Sequence, residues 1–119
     1  MQLEGFIPLQ PKAWKRPGKF KGRRYDPSVA DKRAFFEMCV IVAGCPEHAP
    51  EGDVWLQVEF VCEVKSGRRP DLDNLVKFVM DALNKTYWKD DAQICWLLAK
   101  RTFAREGVGT HLKIVYEGD

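Results

Sequence analysis

The chain has 119 residues, 45% of them hydrophobic and 30% charged, with a formal net charge of +2. That is enough for one buried core, so a single domain over 1–119 is expected. No signal segment opens the chain and no apolar run reaches the roughly 18 residues of a membrane span, which sets the expectation of a cytoplasmic protein with no membrane partner. Charge is unevenly spread: residues 1–49 carry nine Lys/Arg against five Asp/Glu, and residues 50–119 carry ten against twelve. Such asymmetry points to a basic, substrate-gripping part and an acidic, chemical part. Cys39, Cys45, Cys62 and Cys95 form no Cys-x-x-Cys pair. With no histidine at zinc-ligand spacing they read as reduced thiols acting as small hydrophobes, Cys62 and Cys95 on the apolar faces of strands.

In chain order, residues 1–9 read as a short strand ended by Pro8 and Pro11. The segment 10–27 is rich in Pro, Gly, Lys and Arg and has no hydrophobic period, which predicts a surface loop. Asp26-Pro27-Ser28 precedes a helical spacing over 29–43, with Val29, Ala30, Ala34, Phe35, Met38 and Val42 as its apolar positions. Residues 54–64 alternate strictly, Val54, Leu56, Val58, Phe60, Cys62 and Val64 on one face, as a half-buried strand does. Ser66-Gly67-Arg68-Arg69-Pro70 reads as a loop. A second helix over 72–84 presents Leu72, Leu75, Val76, Val79, Ala82 and Leu83 as a core stripe. Residues 92–103 read as an apolar strand in a central or dimer-covered position, and Leu112, Ile114 and Tyr116 alternate along a last strand. The order βαβαββ fits a compact α/β (α+β) domain with one mixed sheet flanked by two helices.

Two clusters carry chemistry. Asp71-Leu72-Asp73-Asn74 opens the second helix, Lys77 lies one turn in, and Asp90-Asp91 precedes the next strand, all within 21 residues. Asp71 and Asp73, two apart in extended backbone, are expected to face one cation, with Asp90 and Asp91 bringing a further carboxylate to the same edge. Hard oxygen donors of this kind suit Mg²⁺ acting on a phosphate, and Lys77 would offset charge on that phosphate. Plain alternatives stand beside this: acids in a first helical turn complement the macrodipole, and Asp73, Lys77 and Asp81 also have the spacing of a surface ion ladder. The second cluster, Lys12, Lys15, Arg16, Lys19, Lys21, Arg23 and Arg24, contains no acidic residue and is interleaved with Trp14 and Phe20. Cations of this density neutralise nucleic-acid phosphates, and the aromatics stack on bases; Arg68 and Arg69 add charge directly before Asp71. No glycine-rich nucleotide loop occurs, so no nucleotide cofactor is expected.

Arg69-Pro70-Asp71-Leu72-Asp73-Asn74-Leu75, Lys77, Asp81-Ala82-Leu83-Asn84 and Trp88-Lys89-Asp90-Asp91-Ala92-Gln93-Ile94 together resemble the signature of the RusA family of Holliday-junction resolvases. Lys15-Arg16-Pro17 and Arg24-Tyr25 are similar to that family's basic N-terminal region. The resemblance implies a RusA-like fold and a homodimeric, Mg²⁺-dependent crossover junction endodeoxyribonuclease, with Mn²⁺ able to substitute. Such an enzyme nicks four-way junctions symmetrically in DNA recombination and repair, often from a prophage. It also implies Asp71, Asp73 and Asp91 as catalytic, metal-holding carboxylates, Lys77 as a catalytic lysine and Asp90 as a secondary metal candidate. Relatives often carry glycine after the second helix, where this chain has Lys85-Thr86. A non-catalytic dimer that binds branched DNA is the alternative, and the apolar strand 94–99 with Trp96 is the candidate dimer surface or plain core.

Overall fold

The computed structural model describes residues 1–64 and 69–118. Its elements are β1 (Gln2–Ile7), β2 (Gly18–Phe20), β3 (Arg23–Tyr25), α1 (Val29–Ala43), β4 (Val54–Glu63), α2 (Leu72–Leu83), a 3-10 turn (Asp91–Gln93), β5 (Ile94–Ala104) and β6 (Gly109–Tyr116). The expected order therefore holds, with a two-stranded ribbon added inside the segment read as loop. Four strands form a mixed sheet in the order β1-β6-β4-β5, and β2 and β3 pair separately. Only β4 and β5 run parallel, Val54 opposite Ile94 and Glu63 opposite Ala104; the other pairs are antiparallel.

One face of this sheet holds the core. Val54, Leu56, Val58, Phe60 and Cys62 of β4 are buried, and the register sets Leu56 beside Ile114 and Val58 beside Leu112. The helices cover this same face and touch each other, α1 on β1 and α2 toward β5. α2 buries Leu75, Val76, Val79 and Leu83, the stripe its spacing requires, and adds Phe78, whose ring meets Phe35 edge-on at 5.9 Å. The opposite sheet face is open, with Trp55, Gln57, His111 and Lys100 exposed on it. No helix among the described residues is long and apolar enough to cross a membrane.

Expectations for α1, β5 and Cys95 are corrected, and one buried pair was not anticipated. α1 buries Phe35 and Cys39, whereas Val29, Ala30, Ala34 and Val42 are exposed. Apolar residues lie on several sides of this helix, so its spacing did not single out the buried stripe. Of the two positions expected for residues 92–103, central or dimer-covered, the central one is excluded, since β5 lies at the edge of the sheet, and Cys95 is exposed while Cys62 is buried. Finally, Tyr87 and Trp88, in the connection from α2 to β5, are fully buried. Tyr87 donates its hydroxyl to the Gly44 carbonyl at 2.6 Å, and burial holds its pKa far above the ordinary tyrosine range.

The start of α1 is tied down by charge. Asp26 accepts the Ser28 N–H at 2.8 Å and the Lys32 ammonium at 2.7 Å, and Lys32 also reaches Asp81 of α2 at 3.4 Å. The Lys32 hydrogen bond, then the Ser28 amide, hold the Asp26 carboxyl below its ordinary value of 3.8. A carboxyl depressed on folding stabilises the fold fully above its unfolded pKa and loses that contribution as pH falls through the folded one. Asp26→Asn should therefore lower the urea midpoint at pH 7, and the gap from the parent should close below about pH 3.8. A gap that persists unchanged to pH 2 contradicts this account.

Candidate active site and nucleic-acid interface

A parallel β4–β5 pair needs a crossover, and α2 supplies it by running back along the sheet. The N-terminus of α2 therefore lies at the C-terminal ends of β4 and β5, where Arg101 of β5 donates through Nη1 to the Pro70 carbonyl. Its C-terminus returns to the start of β5, where Gln93 donates to the Pro50 and Gly52 carbonyls at 2.8 Å. Twelve helical residues span about 18 Å.

Asp71 is the N-cap of α2 in extended backbone but makes no side-chain cap bond. Asp73 lies inside the first helical turn, so the two-residue alternation of extended chain does not apply to the pair; both ring the positive end of the helix. Both are exposed, and neither carboxylate has a hydrogen-bond or ion-pair partner among the described residues. The ion ladder does not form either. Asp81 pairs with Lys32, and the Lys77 ammonium lies 5.4 Å from the Trp14 ring centroid.

Asp90 and Asp91 are at the other end. Asp90 caps the 3-10 turn by accepting the Ala92 N–H at 2.9 Å, while Gln93 Oε1 accepts the Asp90 N–H at 2.9 Å. Asp91 accepts the indole N–H of buried Trp88 at 2.8 Å, which orients its carboxylate and explains why Trp88 sits there. Within one chain, then, Asp90 and Asp91 do not share an edge with Asp71 and Asp73. Among the described residues the group whose ligand atoms fall within 4.8 Å of one another is Asp53, Cys95 and Glu117, all exposed, at the start of β4. A thiol in that group suits softer cations than Mg²⁺.

The basic segment is more ordered than its composition announced. β2 and β3 form a hairpin with Lys21 and Gly22 at its tip, both at positive φ (52° and 77°), as a type I′ turn requires. The Lys21-Gly22 dipeptide was the available signal, hidden because the flanking strands are short and polar. The register sets Lys19 opposite Arg24, a like-charge pair that destabilises a ribbon unless an anion screens it. Lys12, Lys15, Arg16, Lys19, Lys21, Arg23 and Arg24 are all exposed, as are Phe20 (69%) and Tyr25 (52%). Arg69 is exposed beside Pro70, and Arg68 lies outside the described residues.

The segment before the hairpin is joined to the acidic helix. The Trp14 N–H donates to the Asn74 carbonyl of α2 at 2.8 Å, and its ring receives Lys77. Trp14 was read only as an aromatic available to bases; its packing on Lys77 was not legible without the fold. Trp14→Leu should speed amide exchange across 12–25 severalfold while leaving β4 unchanged. Parent-like exchange in 12–25 would show that Trp14 does not anchor the arm.

Residues 8–115 match the family model described as Endodeoxyribonuclease RusA. A curated relative, "Crossover junction endodeoxyribonuclease rusA" of Lactococcus phage r1t, is 56% identical over 34 residues, a stretch covering 28% of this chain and 26% of the phage protein. With the family match running over nearly its whole length, the chain belongs to the RusA family of endodeoxyribonucleases.

Proposed function

We propose that this protein is a divalent-metal-dependent endonuclease that cuts branched DNA, four-way junctions in particular, by nicking two opposed strands. One observation carries the reading: in a RusA-family chain, two carboxylates without a partner among the described residues, Asp71 and Asp73, stand at a helix N-terminus joined through Trp14 to an exposed basic arm.

The donor set fits Mg²⁺, or Mn²⁺ in its place, because Asp71 and Asp73 offer hard oxygens that no group among the described residues occupies. A bound divalent ion supplies an activated water and screens charge on the phosphodiester. Lys77 adds a positive charge one turn along the same helix face, held by the Trp14 ring. Lys15, Arg16, Lys19, Arg23 and Arg24 grip the backbone, and Phe20 and Tyr25 stack on unpaired bases.

Asp91 belongs to this site only if a second copy brings it. The crossover separates Asp91 from Asp71 and Asp73 within a chain, but β5 offers a way to reunite them. It is an eleven-residue edge strand whose Trp96, Leu97 and Leu98 are exposed in succession. An apolar edge of this length is a template for another strand. Antiparallel pairing of β5 with its copy about a two-fold axis sets the start of one β5 beside the end of the other. Asp91 of each chain then faces Asp71 and Asp73 of its partner, and Asp90 stays in its capping role. Two sites related by the same axis cut two strands.

Asp71→Asn, Asp73→Asn and Asp91→Asn should each bind a synthetic four-way junction and fail to cut it. Mixing Asp71→Asn with Asp91→Asn should restore nicking of one strand per junction, since the mixed dimer holds one intact site. Mixed subunits that exchange but stay inactive would show that the three acids act from one chain, and full activity of Asp71→Asn alone would sink the nuclease assignment. Replacing Lys15, Arg16, Arg23 and Arg24 together should weaken binding and lower the slope of log affinity against log salt by up to about seven, four phosphate contacts in each of two subunits. An unchanged slope places the DNA elsewhere.

A further inference from the structure

Phe103 lies on the helix-covered side of β5, in register with buried Cys62, yet its ring is 36% exposed. Two guanidinium carbons approach that ring, Arg69 at 5.3 Å and Arg101 at 5.4 Å from its centroid. Arg101 spends one donor on the Pro70 carbonyl, directly before Asp71, and its Nε is buried without a partner. Neither arginine is paired with a carboxylate among the described residues, although Asp71 follows Arg69 by two positions. A guanidinium has five donors, and leaving a buried one unmet costs about 1–3 kcal/mol.

This spot therefore holds two positive groups that repel each other and two negative groups that do likewise, side by side and without mutual neutralisation. Such a separation suits a ligand that carries both complementary charges at once: a divalent cation for the carboxylates and a phosphate oxygen pair for the guanidiniums, whose planar forks match phosphate geometry. We propose that Arg101, together with Arg69 and the Phe103 ring that holds them, forms a phosphate-binding clamp for the DNA strand entering the Asp71–Asp73 site. The clamp rests on the nuclease reading and adds Arg101 and Phe103, neither of which the sequence motifs marked. Because Arg101 also holds the Pro70 carbonyl, a phosphate seated on it is mechanically tied to the backbone that carries Asp71.

The test measures binding of a four-way junction in EDTA over a range of salt, followed by single-turnover cleavage in Mg²⁺. Arg69→Gln and Arg101→Gln should each lower the slope of log affinity against log salt by about two, the loss of one phosphate contact from each subunit of the dimer. Arg101→Lys should keep the slope, because the charge remains, while cutting more slowly than the parent because one ammonium cannot hold both Pro70 and the phosphate. Phe103→Leu should weaken binding severalfold with the slope intact. Thermal melts check folding; if Arg101→Gln is unfolded, Arg69→Gln and Arg101→Lys decide. Parent-like slopes in both glutamine variants, or in Arg69→Gln where it alone is folded, with parent-like cleavage by Arg101→Lys, overturn the clamp while leaving the nuclease reading standing. A parent that binds no branched DNA overturns both.

Discussion

The polarity of the β4–α2–β5 unit is the constraint on which the rest depends. Two adjacent parallel strands joined by a helix place the start of that helix and the start of the second strand at opposite ends of the sheet. Asp71 and Asp73 open the helix and Asp91 opens the 3-10 turn that leads into the second strand, so the crossover sets them toward opposite ends of the sheet. Leu75, Val76, Phe78, Val79 and Leu83 fix α2 on that core, and Trp88 fixes Asp91 at its own end. Fully burying each of these apolar side chains contributes about 1.5–3 kcal/mol, far more than any exposed carboxylate contact offers in return. That separation is the ground for the proposal that the three acids meet between chains.

The same geometry relates binding to chemistry. The basic arm precedes α1 in the chain but is tethered to α2 through Trp14, and Lys77 closes over the ring from the helix. Arg101 ties the other side of the α2 N-terminus to β5. The first turn of α2 is thus held between the basic arm and a cationic, aromatic edge, with its two acids unpaired among the described residues. Positive charge lies around the acids without cancelling them, which is the arrangement a cation bridging to a phosphate requires.

Much of this could be read from residues alone. The strict alternation of 54–64 and the apolar stripe of 72–83 depend on local periodicity, and both elements form as their patterns require. The motif around Asp71 and Asp73 placed the acids at a helix start correctly. What escaped was non-local. Sequence proximity of Asp71 and Asp91 suggested spatial proximity, whereas the direction of a crossover depends on which strands pair. Trp88 and Tyr87 sit in a connection with no period, so nothing marked them as core. The hairpin at 18–25 has strands of three residues each, too short to show alternation. The apolar run of β5 left a central and a dimer-covered position open, because both give a strand the same composition; its place at the sheet edge depends on which strands pair.

The central claim is that the metal site is shared by two chains. Crystals of the protein grown with Mn²⁺ and measured at the manganese absorption edge test it directly. The account predicts an anomalous peak touching Asp71 and Asp73 of one protomer and Asp91 of its partner. A peak held by Asp71 and Asp73 with no second copy near it, or one seated at Asp53, Cys95 and Glu117 alone, would contradict it.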